Sequence, residues 1–187
     1  MSVDLRFPEI PQLAQDVGSI CKDKGKGALI ILRGMPGSGK TSFAHELAYC
    51  VQRRRLRTEV CSADEFFYNE LGEYVYDRAK IKDVHQMCKQ RFKAALSRGV
   101  DCVIIDNSNL NIWEVNDYHN EGFISGYDVK YVEFNCESYQ EARHLLVRTQ
   151  HDLDDDTLDG KLEAFTKTRI SNALKMETDD SDRFFAD

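Results

Sequence analysis

The segment Gly34-Met35-Pro36-Gly37-Ser38-Gly39-Lys40-Thr41 decides how this 187-residue chain is read. It matches the pattern G-x-x-x-x-G-K-[ST] at every defined position. Its flanks agree. Residues 28–33, Ala-Leu-Ile-Ile-Leu-Arg, are an apolar run of strand length, the pattern of a parallel strand buried on both faces. Residues 40–53 follow with Phe43, Leu47, Ala48 and Val51 at helical spacing. Strand, glycine loop and helix in that order make a phosphate cradle. Glycines let successive backbone N–H groups curl around phosphates where side chains would collide. The helix N-terminus adds partial positive charge. Pro36, Gly37, Ser38, Gly39, Lys40, Thr41 and Ser42 are therefore expected to bind ATP. Lys40 is expected to reach the β- and γ-phosphates, and the Thr41 hydroxyl to ligate Mg²⁺. A chance glycine loop and a decayed, nonbinding loop are the plain alternatives.

Outward from this segment, strand and helix patterns alternate. A helix is expected over 8–24, closed by Gly25 and Gly27. Strands are expected at 58–62, 101–106 and 128–135, and helices at 78–98, 111–124, 138–150 and 158–175. The helix at 78–98 carries Ile81, Val84, Met87, Cys88, Phe92, Ala95 and Leu96 on one stripe. This alternation predicts parallel βαβ units: an α/β P-loop NTPase fold with a four- or five-stranded parallel sheet flanked by helices. Residues 1–187 read as one domain, with 1–27 as an N-terminal extension and 176–187 as an acidic tail in which Phe184 and Phe185 are candidates to dock.

Composition narrows the function classes. A hydrophobic fraction of 42% and a charged fraction of 30% are those of an ordinary soluble protein. No stretch suits a bilayer span or a secretory signal, so the expectation is a cytosolic or nuclear location and no membrane partner. The six cysteines form no CxxC or CxxH pair, which argues against zinc, and all are expected to be reduced. The net charge of −7 opposes extended coating of nucleic acid, but leaves room for a pocket that takes one end. The cluster Arg53-Arg54-Arg55 with Arg57 follows the helix that begins at the P-loop. It reads as a solvated helix end, with a nucleic-acid patch as the alternative.

A triphosphate site needs carboxylates. Asp106 ends the apolar run Val103-Ile104-Ile105 and is expected to help hold Mg²⁺, or else to cap the following turn. Asp64 follows the second strand and therefore lies on the chemical side of an open α/β sheet. It can take the proton of an attacking hydroxyl, or be a solvated loop acid. Glu65 competes for the same role. Asn107, Ser108 and Asn109 either build the turn or orient phosphate and acceptor. Phe66, Phe67, Tyr68, Tyr74 and Tyr76 are core residues or base-stacking platforms. His85 is structural or lines a substrate pocket.

Taken together, Arg33–Thr41, Ser62–Phe67, Gly72–Tyr76, His85, Ile104–Asn109, Trp113-Glu114 and Gly126-Tyr127 resemble the kinase domain of polynucleotide kinase and its relatives. The match is nearest to the Nedd-four-binding-protein-like, AAA-type ATP-binding proteins, and covers roughly residues 28–165. The resemblance implies ATP-dependent phosphoryl transfer, a helical lid after the fourth strand, and Asp64 as general base toward a 5′-hydroxyl. Phage-type enzymes carry an arginine three residues after that Asp, where this chain has Phe67. Arg148-Thr149-Gln150-His151 resembles the relatives' lid motif RNxH, so Arg148 is the expected lid arginine and Arg143 its reserve. The acidic run Asp152–Asp156 reads as a solvated helix start. Three functions remain: a kinase acting on a hydroxyl acceptor such as a single-stranded nucleic-acid 5′ end, a small-metabolite or nucleoside kinase, and a nucleotide-binding module working through a protein partner.

Overall fold

The computed structural model describes residues 6–149, 153–168 and 170–176. Strands are β1 (Ala28–Arg33), β2 (Thr58–Cys61), β3 (Cys102–Ile105), β4 (Asp128–Phe134) and β5 (Leu174–Met176). Helices are α1 (Ile10–Asp23), α2 (Lys40–Gln52), α3 (Ile81–Ser97), α4 (Ile112–Ile124), α5 (Tyr139–Leu146) and α6 (Asp155–Lys167). The sheet runs β2-β3-β1-β4-β5, and every pairing is parallel.

Strand β1 is central and every residue in it is buried. Its alternation feeds two cores. Ala28, Ile30 and Leu32 pack with α1 and α2, while Leu29 and Ile31 pack with α3 and α4. That is why the run is apolar at consecutive positions rather than alternating. Strand order reverses at β1, with β3 on one side and β4 on the other. Such a switch point opens a crevice at the carboxyl ends of the strands, where the loop after β1 emerges. A third apolar cluster joins Met35 of that loop to Ala142 and Leu145 of α5 and to Leu158 and Phe165 of α6. Helices α5 and α6 are thereby fixed beside the glycine loop.

Several expectations need correction. The stretch 158–175 is not one helix: α6 ends at Lys167, and Leu174–Met176 adds a fifth strand against Val132–Phe134 of β4. Met87 leaves the buried stripe of α3 and is 45% exposed. Helix α5 stops at Leu146, short of the expected 150. The described part of the N-terminal extension belongs to the core. Phe7 meets Phe43 and Phe134 edge-on at 5.3 and 6.2 Å between ring centroids. Helix α6 starts earlier than expected, at Asp155, and the described part of the acidic run caps it: the Asp154 side chain accepts from Thr157 N–H as an N-cap, while Asp152 lies outside the described residues. The tail from residue 177 onward, with Phe184 and Phe185, lies outside the described residues. The six cysteines are free. No helix among the described residues is long and apolar enough to cross a membrane.

Candidate active site

The loop after β1 turns back on itself: Ser38 N–H donates to Met35 C=O at 3.2 Å and Gly34 N–H to Ser108 C=O at 3.1 Å. Two positions demand glycine. Gly37 has φ 79°, and a Cβ there would sit 1.9 Å from the Leu145 carbonyl oxygen at the end of α5. Gly39 has φ 95° and starts α2 from the left-handed region. The tight turn leaves Lys40 at the first position of α2, where its ammonium donates to the carbonyls of Gly34 (3.0 Å) and Met35 (2.8 Å). Lys40 is only 8% exposed. Burial pushes it down to about 8, against the opposing pull of Asp106 and Asp64, and Lys161 lowers it further.

Asp106 follows β3 and is 4% exposed. Its backbone N–H donates to Cys61 C=O at 2.9 Å, so the ends of β2 and β3 are locked side by side. The Thr41 side chain hydrogen-bonds its carboxyl; burial raises that carboxyl, while Lys40 and Thr41 pull it back. Two hard oxygens, one from Asp106 and one from Thr41, suit Mg²⁺, which keeps waters and phosphate oxygens as its other ligands. Among the described residues no group of three or more His, Cys, Asp or Glu offers an all-protein cage. The donor set therefore fits a metal that arrives with a nucleotide.

Gly39, Lys40, Thr41 and Asp106 line a cleft of about 550 Å³ together with Pro36, Gly37, Ser42 and, from the segment after α5, Arg148 and Thr149, whereas the Ser38 side chain is fully buried beneath the loop and outside that lining. Arg148 is thus brought to the glycine loop, whereas Arg143 is exposed and pairs with Asp155 at 2.9 Å, tying α5 to α6. A second cleft, about 570 Å³, lies between α3, the β3–α4 loop and α6. The two share Pro36, Asp64, Asn107 and Ser108. Asp64 opens a 3₁₀ turn, Asp64–Phe67, directly after β2. Glu65 lines only the first cleft and is salt-bridged to Arg91. The aromatic residues divide: Tyr68 and Tyr74 line the first cleft, Phe67 and Tyr76 the second, and Phe67 packs on Tyr74 and Tyr76 at 5.9 and 5.2 Å.

The asparagines after Asp106 are ties. Asn107 accepts from Ala63 N–H at 2.9 Å and donates to the Tyr118 hydroxyl at 3.2 Å, which fixes the turn carrying Asp64. Asn109 donates to Leu32 C=O at 2.7 Å from a left-handed backbone with φ 47°. His85 is half-buried in the second cleft, and burial lowers its pKa. None of Arg53, Arg54, Arg55 and Arg57 lines either cleft; Arg57 pairs with Asp101 at 3.3 Å.

Two residues have no role assigned by the sequence. Lys161, on α6, lines the second cleft and acts electrostatically on both Lys40 and His85. Arg33 is fully buried at the end of β1. It bonds Glu133 at 2.6 Å and the carbonyls of Asn109 (3.0 Å), Leu110 (2.8 Å) and Phe165 (2.9 Å), and lies 4.4 Å from the Phe165 ring centroid. Its place gave one signal, a charge at the end of a run that is buried on both faces. Nothing local marked Lys161.

A stretch of 90 residues is 36% identical to NEDD4-binding protein 2 of Homo sapiens, covering 48% of this chain and 5% of that protein. In structure, the chain resembles a chain of the Pnkp1/Rnl/Hen1 RNA repair complex, with TM-score 0.58 and 18% identity over 81% of this chain and 50% of that one. It also resembles Kti12 of Chaetomium thermophilum in complex with ADP-AlF3, with TM-score 0.54 and 19% identity over 81% of this chain and 90% of that one. At such identities these structures speak to fold alone. The family model described as AAA domain (AAA_33) matches residues 29–168, and the chain belongs to that family, with the P-loop NTPase fold in its kinase-like form.

Proposed function

We propose that this chain is an ATP- and Mg²⁺-dependent phosphotransferase that moves a γ-phosphoryl group to a hydroxyl acceptor, with a nucleic-acid 5′-hydroxyl as the leading acceptor. The observation that carries this reading is the position of Asp64. It lies on the wall common to the cleft that contains the glycine loop and the second cleft across it. A general base must touch the attacking hydroxyl while that hydroxyl faces the phosphoryl group, and a shared wall meets this requirement. Lys40 and the backbone N–H groups of residues 37–41 would hold the phosphates. Thr41 and Asp106 would hold Mg²⁺, which when bound neutralises charge on the phosphate oxygens. Arg148 would steady the transferring group from the lid side. Lys161 would supply a cation from the acceptor side. The structural likeness to a chain of an RNA repair complex supports the nucleic-acid acceptor by analogy of fold.

A panel of acceptors incubated with γ-labelled ATP tests the proposal. Label should enter a 5′-hydroxyl oligonucleotide and depend on Mg²⁺. Label in a nucleoside or sugar alone would favour the second reading, a small-molecule kinase. That reading has one observation behind it: Phe67 stands where phage-type enzymes place an arginine, and it is buried at 5% exposure. ATP binding without transfer to any acceptor would remove the phosphotransferase reading.

A further inference from the structure

The second cleft continues into a third, about 430 Å³ in volume, and the two share Ile81, His85, Asn109 and Glu114. One wall is α3, where Ile81, His85 and Lys89 follow one another at four-residue spacing along one face. The other wall is the first turn of α4, where Trp113 stands 60% exposed. The capping box between Asn111 and Glu114 fixes that turn, with Asn111 N–H donating to Glu114 at 2.9 Å. The indole is therefore mounted on a rigid helix start with most of its surface exposed. Lys82 and Lys89 border the same cleft. Lys89 is salt-bridged to Asp117, which leaves Lys82 as the more available cation.

We propose that this trough is the subsite for the second nucleotide of a single-stranded nucleic-acid acceptor, with Trp113 as the stacking platform and Lys82 facing the first internucleotide phosphate. This rests on the phosphotransferase reading, and deepens it by extending the acceptor beyond one nucleoside. Three features select this occupant. The trough is continuous with the cleft that ends at Asp64, so a chain whose 5′-hydroxyl reaches Asp64 runs on into it. Its floor is aromatic and aliphatic, which accepts any base by its π-face and rejects a sugar or polyol. Its charge is Lys82 and Lys89 against Glu114, a small positive excess that suits a single phosphate and agrees with a chain of net charge −7. An apolar side chain from a protein partner is the competing occupant, and would not require a cation beside the indole.

Trp113 is the single tryptophan of the chain, so its fluorescence reports this place alone. The full chain, with a nonhydrolysable ATP analogue and Mg²⁺, is titrated with a thymidine nucleoside and with 5′-hydroxyl trinucleotides of the deoxy and ribo series. The trinucleotide is expected to quench Trp113, and the nucleoside to leave it much less affected. The salt dependence of trinucleotide binding should be shallow, with a log–log slope of about −1. Trp113→Ala should reduce the preference for trinucleotide over nucleoside by roughly tenfold, measured by competition, and Trp113→Phe should restore most of it. Response to only one of the two series would assign the acceptor to DNA or RNA and support the trough. Equal quenching by nucleoside and trinucleotide, or none by either, would overturn the proposal. So would a trinucleotide affinity indifferent to Trp113→Ala. In the labelled-ATP assay, transfer to trinucleotide with a KM insensitive to Trp113→Ala would keep the kinase and remove the trough. Quenching without transfer would keep the trough and remove the kinase.

Discussion

The phosphate cradle takes its backbone donors from a single run, residues 37–41, whereas the cleft across Asp64 is assembled from residues 63–67, 76–85, 107–114 and 153–164. The first is made by local geometry: two glycines with positive φ and a helix start. The second exists only when the β2 turn, α3, the β3–α4 loop and α6 have packed. A locally built cradle tolerates change elsewhere in the fold but not within itself. A cleft assembled from distant segments is tuned by residues that touch no ligand. Substitutions in the two regions should therefore fail in different ways.

The largest effect belongs to the local cradle. Lys40→Ala should weaken ATP·Mg²⁺ binding in calorimetry, and lower turnover by about 10²–10³ or more, with the protein still folded. Unchanged binding and turnover in a folded variant would break the comparison at its stronger half. Next comes Arg33, which joins the two regions. Arg33→Met leaves Glu133 buried with Lys175 as its remaining charged partner among the described residues and removes bonds to Asn109, Leu110 and Phe165. A denaturant titration should show a loss of about 3–5 kcal/mol. Arg33→Lys should not rescue it, because one ammonium cannot serve acceptors spread around a guanidinium.

A smaller effect concerns pH. Lys40 is pushed from 10.5 down to about 8 in the folded protein. Between those values the unfolded chain binds more protons at this position, so stability rises with pH in that window. Below about pH 8 the cost of the buried ammonium is present in full. Relative to Lys40→Met, wild type should gain up to about 3 kcal/mol as pH rises from 8 to 10.5. A flat difference would mean that Lys40 is solvated. The smallest effect is Lys161→Met. It should act mainly on the acceptor KM, with a loss of about tenfold to a hundredfold, and little on ATP. Loss of ATP affinity instead would move Lys161 to the phosphate side.

The same contrast explains how much was legible in the sequence. The glycine loop, β1 and the two flanking helices are written in adjacent residues, and so is the division into parallel βαβ units. Strand β5 was not: Leu174–Met176 has three residues, no alternation, and owes its state to pairing with β4. Its neighbours, Leu158–Lys167, carry helical spacing straight through Gly160 and meet no proline before residue 168, so the pattern alone sets no stop. Met87 failed because the buried face of α3 is narrower than its apolar stripe. Asn107 and Asn109 suit two roles by sequence, and the tertiary contacts with Ala63, Tyr118 and Leu32 show that they act as ties from positions that also line the clefts. Lys161 lies almost a hundred residues from Asp64, and no spacing rule connects them.

The claim that the two clefts meet at Asp64 is tested most directly by single-turnover transfer from γ-labelled ATP in wild type and Asp64→Asn, with ATP affinity measured on both. The expected result is unchanged ATP affinity and a transfer rate lowered by about 10²–10⁴, the usual worth of a general base. A full transfer rate in Asp64→Asn would contradict the arrangement and pass the role to another group on that wall.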